Sequence, residues 1–134
     1  MDSQALRLSV LENTFVRRAQ LQAVPARDHA VLAMPQAGID SILDVIGGAR
    51  QRVFVKMFKL TSERIQQALV AAAQRGVDVR VMLNPSRSDG SRANDEAAEV
   101  LRQGGVRVEW TNPSFYVTHE KSMVADELAF ICTF

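Results

Sequence analysis

The chain has 134 residues, a formal net charge of +1 and one cysteine. That length suits a single domain, and 16 basic against 15 acidic residues exclude a polyelectrolyte surface, so any nucleic acid or acidic membrane must be met by a local patch. A lone thiol excludes an intrachain disulfide, no apolar run approaches the roughly 20 residues of a membrane span, and the N-terminus lacks a basic-then-apolar signal pattern, which favours a cytoplasmic or peripheral-membrane protein.

Residues 1–28 read as an extension outside the main domain. Within it, Leu6, Leu8, Leu11, Phe15, Val16 and Leu21 recur at loosely helical spacing up to Pro25. Arg7, Arg17 and Arg18 give that segment a weakly basic face, suited either to packing on the domain or to peripheral membrane contact. The domain proper, 29–134, opens with a short strand at 29–34, stopped by Pro35. A helix over 39–49 follows, with Ile39, Ile42, Leu43 and Ile46 on one face. Arg52–Leu60 is a nearly continuous apolar run, as expected of a strand covered on both faces. Ser62 precedes a helix that presents Ile65, Ala68, Leu69 and Ala72 and stops at Gly76. Residues 77–83 form the next strand, and 84–90 a loop dense in turn residues. A third helix over 94–103 turns Ala97, Ala98 and Leu101 inward. A strand over 106–110 and a turn at Thr111-Asn112-Pro113-Ser114 lead into the last segment. Strands alternating with helices predict an α/β fold, a mainly parallel β-sheet flanked by helices and ending in a hairpin. Such sheets bind ligands beyond the carboxyl ends of their strands. No Gly-x-Gly-x-x-Gly follows a strand, no Cys/His cluster has metal-ligand spacing, and no Gly-x-Ser-x-Gly elbow occurs, so no cofactor and no metal is expected.

The segment Tyr116-Val117-Thr118-His119-Glu120-Lys121-Ser122-Met123-Val124-Ala125-Asp126 carries the chemistry. In an extended chain alternate residues share a face, so His119 and Lys121 project together, on the parity of Val117, Met123 and Ala125. An imidazole beside a fixed positive charge suits attack on an anionic centre, above all an esterified phosphate. The other reading of these two residues is a solvated sheet face. Asp126 ends the strand and starts the hairpin, its carboxylate free to bond either the site or the turn. Arg87 and Arg92 are candidates for a local phosphate patch, and Phe115 and Tyr116 for an acyl or base pocket, with core packing expected of at least one. His29 reads as structural, and Cys132, flanked by Ile131 and Phe130, as a small core residue.

The spacing His-x-Lys-x-x-x-x-Asp resembles the signature of the phospholipase D superfamily. The stretches KLTSERIQQALVAAAQRGVDVRVMLNP and LRQGGVRVEW resemble the family's approach to that motif, so the likeness covers about residues 29–134 as a half-domain. The resemblance implies that His119 is the nucleophile forming a phosphohistidine, or the acid/base partner of another histidine. Lys121 would bind the non-bridging phosphate oxygens, Asp126 would orient or support the site, and no metal would take part. It also implies a phosphodiester substrate: a phospholipid, as in cardiolipin synthase, or alternatively a nucleic acid. A second histidine must protonate the leaving oxygen, supplied by a homodimer partner or by a C-terminal half beyond a truncated end. The family pattern continues with Gly-Ser and then Asn, where this chain has Thr133-Phe134. That departure leaves open a catalytically incomplete scaffold or oligomerisation module.

Overall fold

The computed structural model describes residues 38–85 and 92–132. The segment 4–22, the strand expected at 29–34, His29, Arg87 and Thr133-Phe134 lie outside the described residues. The chain divides into two compact units, 1–45 and 46–134. Helix α1 (Asp40–Gly48) begins in the first, where Asp40 occupies the first turn, the end of the helix dipole that favours a negative charge.

In the second unit the elements run β1 (Arg52–Met57), α2 (Glu63–Gln74), β2 (Asp78–Leu83), α3 (Ala93–Gln103), β3 (Arg107–Trp110), β4 (Lys121–Ala125) and β5 (Leu128–Ile131). The five strands form one sheet in the order β3-β2-β1-β4-β5. β1 pairs parallel with β2, and β2 with β3; β4 is antiparallel to β1 and to β5. The helix-connected half is thus parallel as expected. The final hairpin makes the whole sheet mixed, because β4 arrives through a loop at the carboxyl ends of its neighbours and must run back.

Alternation sets the core. Val53, Val55, Val79, Val81, Leu83, Val108, Met123 and Ala125 are buried, and they share one face through the registers Val53↔Val79, Val81↔Val108 and Val55↔Met123. Ile65, Leu69 and Ala72 of α2 and Ala97, Ala98 and Leu101 of α3 are buried as well. The opposite face carries Arg80, Met82, Arg107 and Glu109, all exposed, and a half-buried Phe54. The Arg80 guanidinium lies 5.0 Å from the Phe54 ring centre. The expected burial of β1 on both faces is therefore corrected to burial on one, with a cation over its lone aromatic on the other. β1 is also shorter than its apolar run. Phe58 leaves the sheet, and its N–H donates to the Glu120 carbonyl at 2.9 Å.

Ser62 caps α2, its hydroxyl accepting from the Ile65 N–H at 3.4 Å. At Gly76 the backbone turns to φ +90°, the left-handed exit that glycine takes without strain. Gly104, just past α3, has no room for a side chain: a Cβ there would overlap the methyls of Val70 on α2.

Asp126 closes the hairpin at the other end of the sheet from His119. It has φ +50°, a conformation that Asp and Asn tolerate better than other side-chain-bearing residues. Its carboxylate accepts three backbone N–H bonds, from Arg50 at 2.9 Å, Gln51 at 2.8 Å and Arg52 at 3.0 Å. Arg52 returns to the Asp126 carbonyl through Nε and Nη2, both at 3.3 Å. Burial pushes the Asp126 carboxyl up, but the three amides and the Arg52 charge outweigh it and hold the carboxyl below its ordinary value. A carboxylate lowered in the folded state stabilises the fold above the unfolded value near 3.9 and loses that contribution as pH falls through the folded value.

Two outcomes follow from this clamp. Asp126→Asn keeps the turn conformation but removes the charge, and should lower stability by about 2 kcal/mol in urea denaturation. The wild type should lose stability steeply as pH drops below about 4, and Asp126→Asn should show a flatter acid limb in the same pH series.

Candidate functional site

The connection 111–120 runs from β3 to β4 across the carboxyl ends of β2 and β1. By strand spacing that is a traverse of roughly 14 Å, and it delivers His119 to the edge where ligands of parallel sheets are found. One buried amide, Asn84, holds it directly, and a second, Asn94, holds the backbone of Asn84. Asn84, 2% exposed at the end of β2, accepts at Oδ1 from the Thr118 N–H at 3.0 Å and from the Thr111 hydroxyl at 3.4 Å. One side chain thus ties both ends of the connection. Asn94, 5% exposed in the first turn of α3, donates through Nδ2 to the carbonyls of Phe58 and Asn84, each at 2.8 Å. Its Oδ1 accepts from the Leu60 N–H at 3.0 Å. Gln66 adds a bond to the Leu60 carbonyl at 3.0 Å. These groups satisfy backbone atoms that leave the sheet where no ladder partner exists, as buried polar groups require.

His119 and Lys121 come together as alternation predicts, although the regular strand starts only at Lys121 and His119 stands in its extended lead-in. Lys121 Nζ lies 3.3 Å from His119 Nε2 and 3.5 Å from Nδ1. An ammonium only donates, so a hydrogen bond here uses a ring-nitrogen lone pair. The Phe58 ring meets the imidazole edge-on, with centroids 4.6 Å apart, and lies 5.8 Å from Lys121 Nζ. Among the described residues no carboxylate pairs with Lys121. Lys121 is half-buried and His119 exposed, so the imidazole is open to an incoming group with the ammonium at its flank.

Glu120 points to the other face of the sheet. It pairs with Lys56 at 2.7 Å and accepts from the Ser122 hydroxyl at 2.7 Å. The Lys56 and Ser122 hydrogen bonds lower the Glu120 carboxyl against a small burial penalty, so the charge of Lys56 is matched locally. Lys56, Glu120 and His119 share a groove of about 450 Å³ with Met82, Thr111, Asn112, Phe115, Val117 and Thr118. Phe115 and Tyr116 are 65% and 86% exposed; the expectation that one of them packs into the core is corrected, because the connection that carries them rides outside the sheet.

The structure does not bring Asp126 to this site. β4 separates it from His119 by roughly 20 Å at the ordinary rise per residue, and its carboxylate is occupied by the Arg50–Arg52 amides. Arg92 is engaged by Asp95 at 2.8 Å. Cys132 is half-buried rather than core, and burial pushes its thiol up against the opposing charge of Lys121. Among the described residues no cluster of His, Cys, Asp or Glu could hold a metal ion, and no helix is long and apolar enough to cross a membrane.

The sequence reading missed Asn84 and Asn94. Asn84 was masked by the turn-forming residues after it. Asn94 did leave a signal: it shares the inward stripe of α3 with Ala97, Ala98 and Leu101, and a carboxamide on a buried stripe must have partners.

No curated protein matches the chain. Among solved structures it resembles a phospholipase D family member, Nuc from Salmonella typhimurium, with TM-score 0.61 and 26% identity over 69% of this chain and 60% of that one. It resembles NucT from Helicobacter pylori with TM-score 0.51 and 18% identity, over 66% of this chain and 59% of the other. Polyphosphate kinase from Porphyromonas gingivalis gives TM-score 0.61 at 20% identity, over 99% of this chain and 23% of that one. The last two likenesses show the fold alone. The chain therefore spans less than two thirds of each of these structures. The family model described as "Cardiolipin synthase, PLD-like domain" matches residues 42–133, which takes in both parallel crossovers, His119, Lys121 and the Asp126 turn: the chain belongs to the phospholipase D-like domain family.

Proposed function

We propose that the chain is a phosphodiester-cleaving or phosphatidyl-transferring half-domain of phospholipase D type, with His119 as nucleophile and Lys121 as the cation for the phosphate's non-bridging oxygens. The observation that carries this reading is the 3.3 Å approach of Lys121 Nζ to an exposed His119 Nε2. A phosphate entering there would draw the ammonium off the ring nitrogen onto its own non-bridging oxygens, which frees the nitrogen lone pair for phosphorus and keeps the positive charge beside the developing negative charge.

The chemistry balances in two steps. His119 attacks phosphorus; the P–N bond forms, one ester P–O bond breaks, and the leaving alcohol takes a proton from a second imidazole. Water or a second alcohol then attacks the phosphohistidine and gives its proton to that same imidazole. The P–N bond breaks and a new P–O bond forms, yielding hydrolysis with water or transfer with an alcohol. The second imidazole comes from another motif of the same kind, in a paired copy of this chain or in a C-terminal half. Asp126 supports this chemistry at a distance, by fixing β4 against the start of β1.

The substrate we favour is a phospholipid, as the family description suggests. The exposed Phe115, Tyr116 and Val117 beside the groove offer apolar area for acyl chains or a membrane surface. The same two aromatics would serve as a stacking platform for a single-stranded nucleic acid, which is the second reading.

Purified chain, assayed as a dimer or with the second motif supplied, should hydrolyse bis-p-nitrophenyl phosphate. His119→Ala should abolish turnover, a fall of at least about 10³-fold, and Lys121→Ala should lower kcat by about 10²–10³-fold. Activity retained in His119→Ala would remove the assignment, and no activity in the wild type would leave a non-catalytic scaffold. Turnover of phosphatidylglycerol vesicles but not of single-stranded DNA would select the lipid; the reverse would select the nucleic acid.

A further inference from the structure

We infer that Asn94 and Asn84 form a buried amide relay that positions the His119 imidazole, with Asn94 as a positioning residue for the site. The catalytic consequence rests on the phosphodiesterase reading; the positioning itself does not.

His119 stands in a segment outside the regular ladder, so something other than sheet pairing must fix its ring. Two supports do. The Phe58 ring bears on the imidazole edge-on, and the Thr118 N–H, one residue before His119, is held by Asn84 Oδ1 at 3.0 Å. Both supports lead to one group. Asn94 Nδ2 donates to the Phe58 carbonyl and to the Asn84 carbonyl, both at 2.8 Å, and Asn94 Oδ1 takes the Leu60 N–H at 3.0 Å. A carboxamide has two N–H donors and a carbonyl acceptor, and here both sides of it are used. Aspartate offers no donor for two carbonyls, leucine offers neither donor nor acceptor, and glutamine is one methylene too long for a site only 5% exposed. Hydrogen bonds in such a shielded place are strengthened, and losing one partner is costly.

A purely stabilising role makes a different prediction. Leu101 lies on the same buried stripe of α3 and is fully buried, but it makes no hydrogen bond that leads to His119. Leu101→Ala therefore lowers stability without touching the relay and serves as the control, compared at equal folded fraction.

Three readings test the proposal. In the wild-type chain, hydrogen exchange at the Thr118 amide should be slow although it lies outside the strands; exchange at the rate of a free peptide would overturn the relay. In Asn94→Leu, and in Asn84→Ala as a second variant, the His119 ring protons should lose the ring-current shift imposed by Phe58 in NMR spectra. They should keep it in Leu101→Ala. Unchanged His119 signals in a folded Asn94→Leu chain would overturn the proposal whether or not the chain is active. With a diester substrate, kcat of Asn94→Leu should fall on the order of 100-fold, the cost of a small misplacement of a reacting group. KM should change little, and Leu101→Ala should retain kcat. If the wild type turns over no diester, the phosphodiesterase reading falls, while the exchange and NMR readings still decide the positioning.

Discussion

Backbone groups that leave a sheet must find partners elsewhere, and at the carboxyl edge of this sheet two asparagines provide them. Asn94 gathers the exits of β1 and β2 to the start of α3; Asn84 pegs both ends of the long connection that crosses above them. Without its bond to Asn94 Oδ1 the buried Leu60 N–H would lose its partner, at a cost of about 1–3 kcal/mol. These bonds tie together the edge at which His119 and Lys121 meet. The opposite edge is fixed by a different device, the Asp126 carboxylate clasping the amides of Arg50, Gln51 and Arg52. β4 is pinned at one end by a charge and approached at the other through a neutral amide network, and the imidazole and ammonium emerge between the two.

The electrostatics divide along the faces of β4. On one face Glu120 is matched by Lys56 and Ser122; on the other Lys121 flanks His119. Alternation converts the sequence His-Glu-Lys into a separation of charge. The carboxylate between His119 and Lys121 in sequence is turned away from Lys121 and held by Lys56, at the wall of the groove that His119 also lines. Were Glu120 on the face of Lys121, it would compete with a phosphate for that cation.

Much of this was legible in the residues alone. The helix stripes at Ile65–Ala72 and Ala97–Leu101, the cap at Ser62, the stop at Gly76 and the hairpin at Asp126-Glu127 are local patterns, and local patterns survive folding. The pairing of His119 with Lys121 was legible because a period of two needs only an extended backbone, and it holds even though the regular strand begins two residues later than the motif. What the residues hid was non-local. β1 ends at Met57 because Phe58 is drawn out by Glu120 and Asn94, residues 62 and 36 positions away, and no window around Phe58 contains that information. Phe115 and Tyr116 are apolar by composition but exposed by topology, since their segment bridges the sheet edge rather than joining the sheet. Asp126 belongs to the motif by spacing, while its partners at Arg50–Arg52 are fixed only by the antiparallel register of β4 on β1.

The central claim is that His119 acts as a nucleophile toward phosphorus. Acid-free rapid quench of the turning-over protein, followed by peptide mass spectrometry, tests it most directly. The account predicts a phosphoramidate on the peptide carrying His119, formed at the rate of turnover and absent from His119→Ala. Turnover with no covalent adduct, or an adduct on another residue, would contradict it.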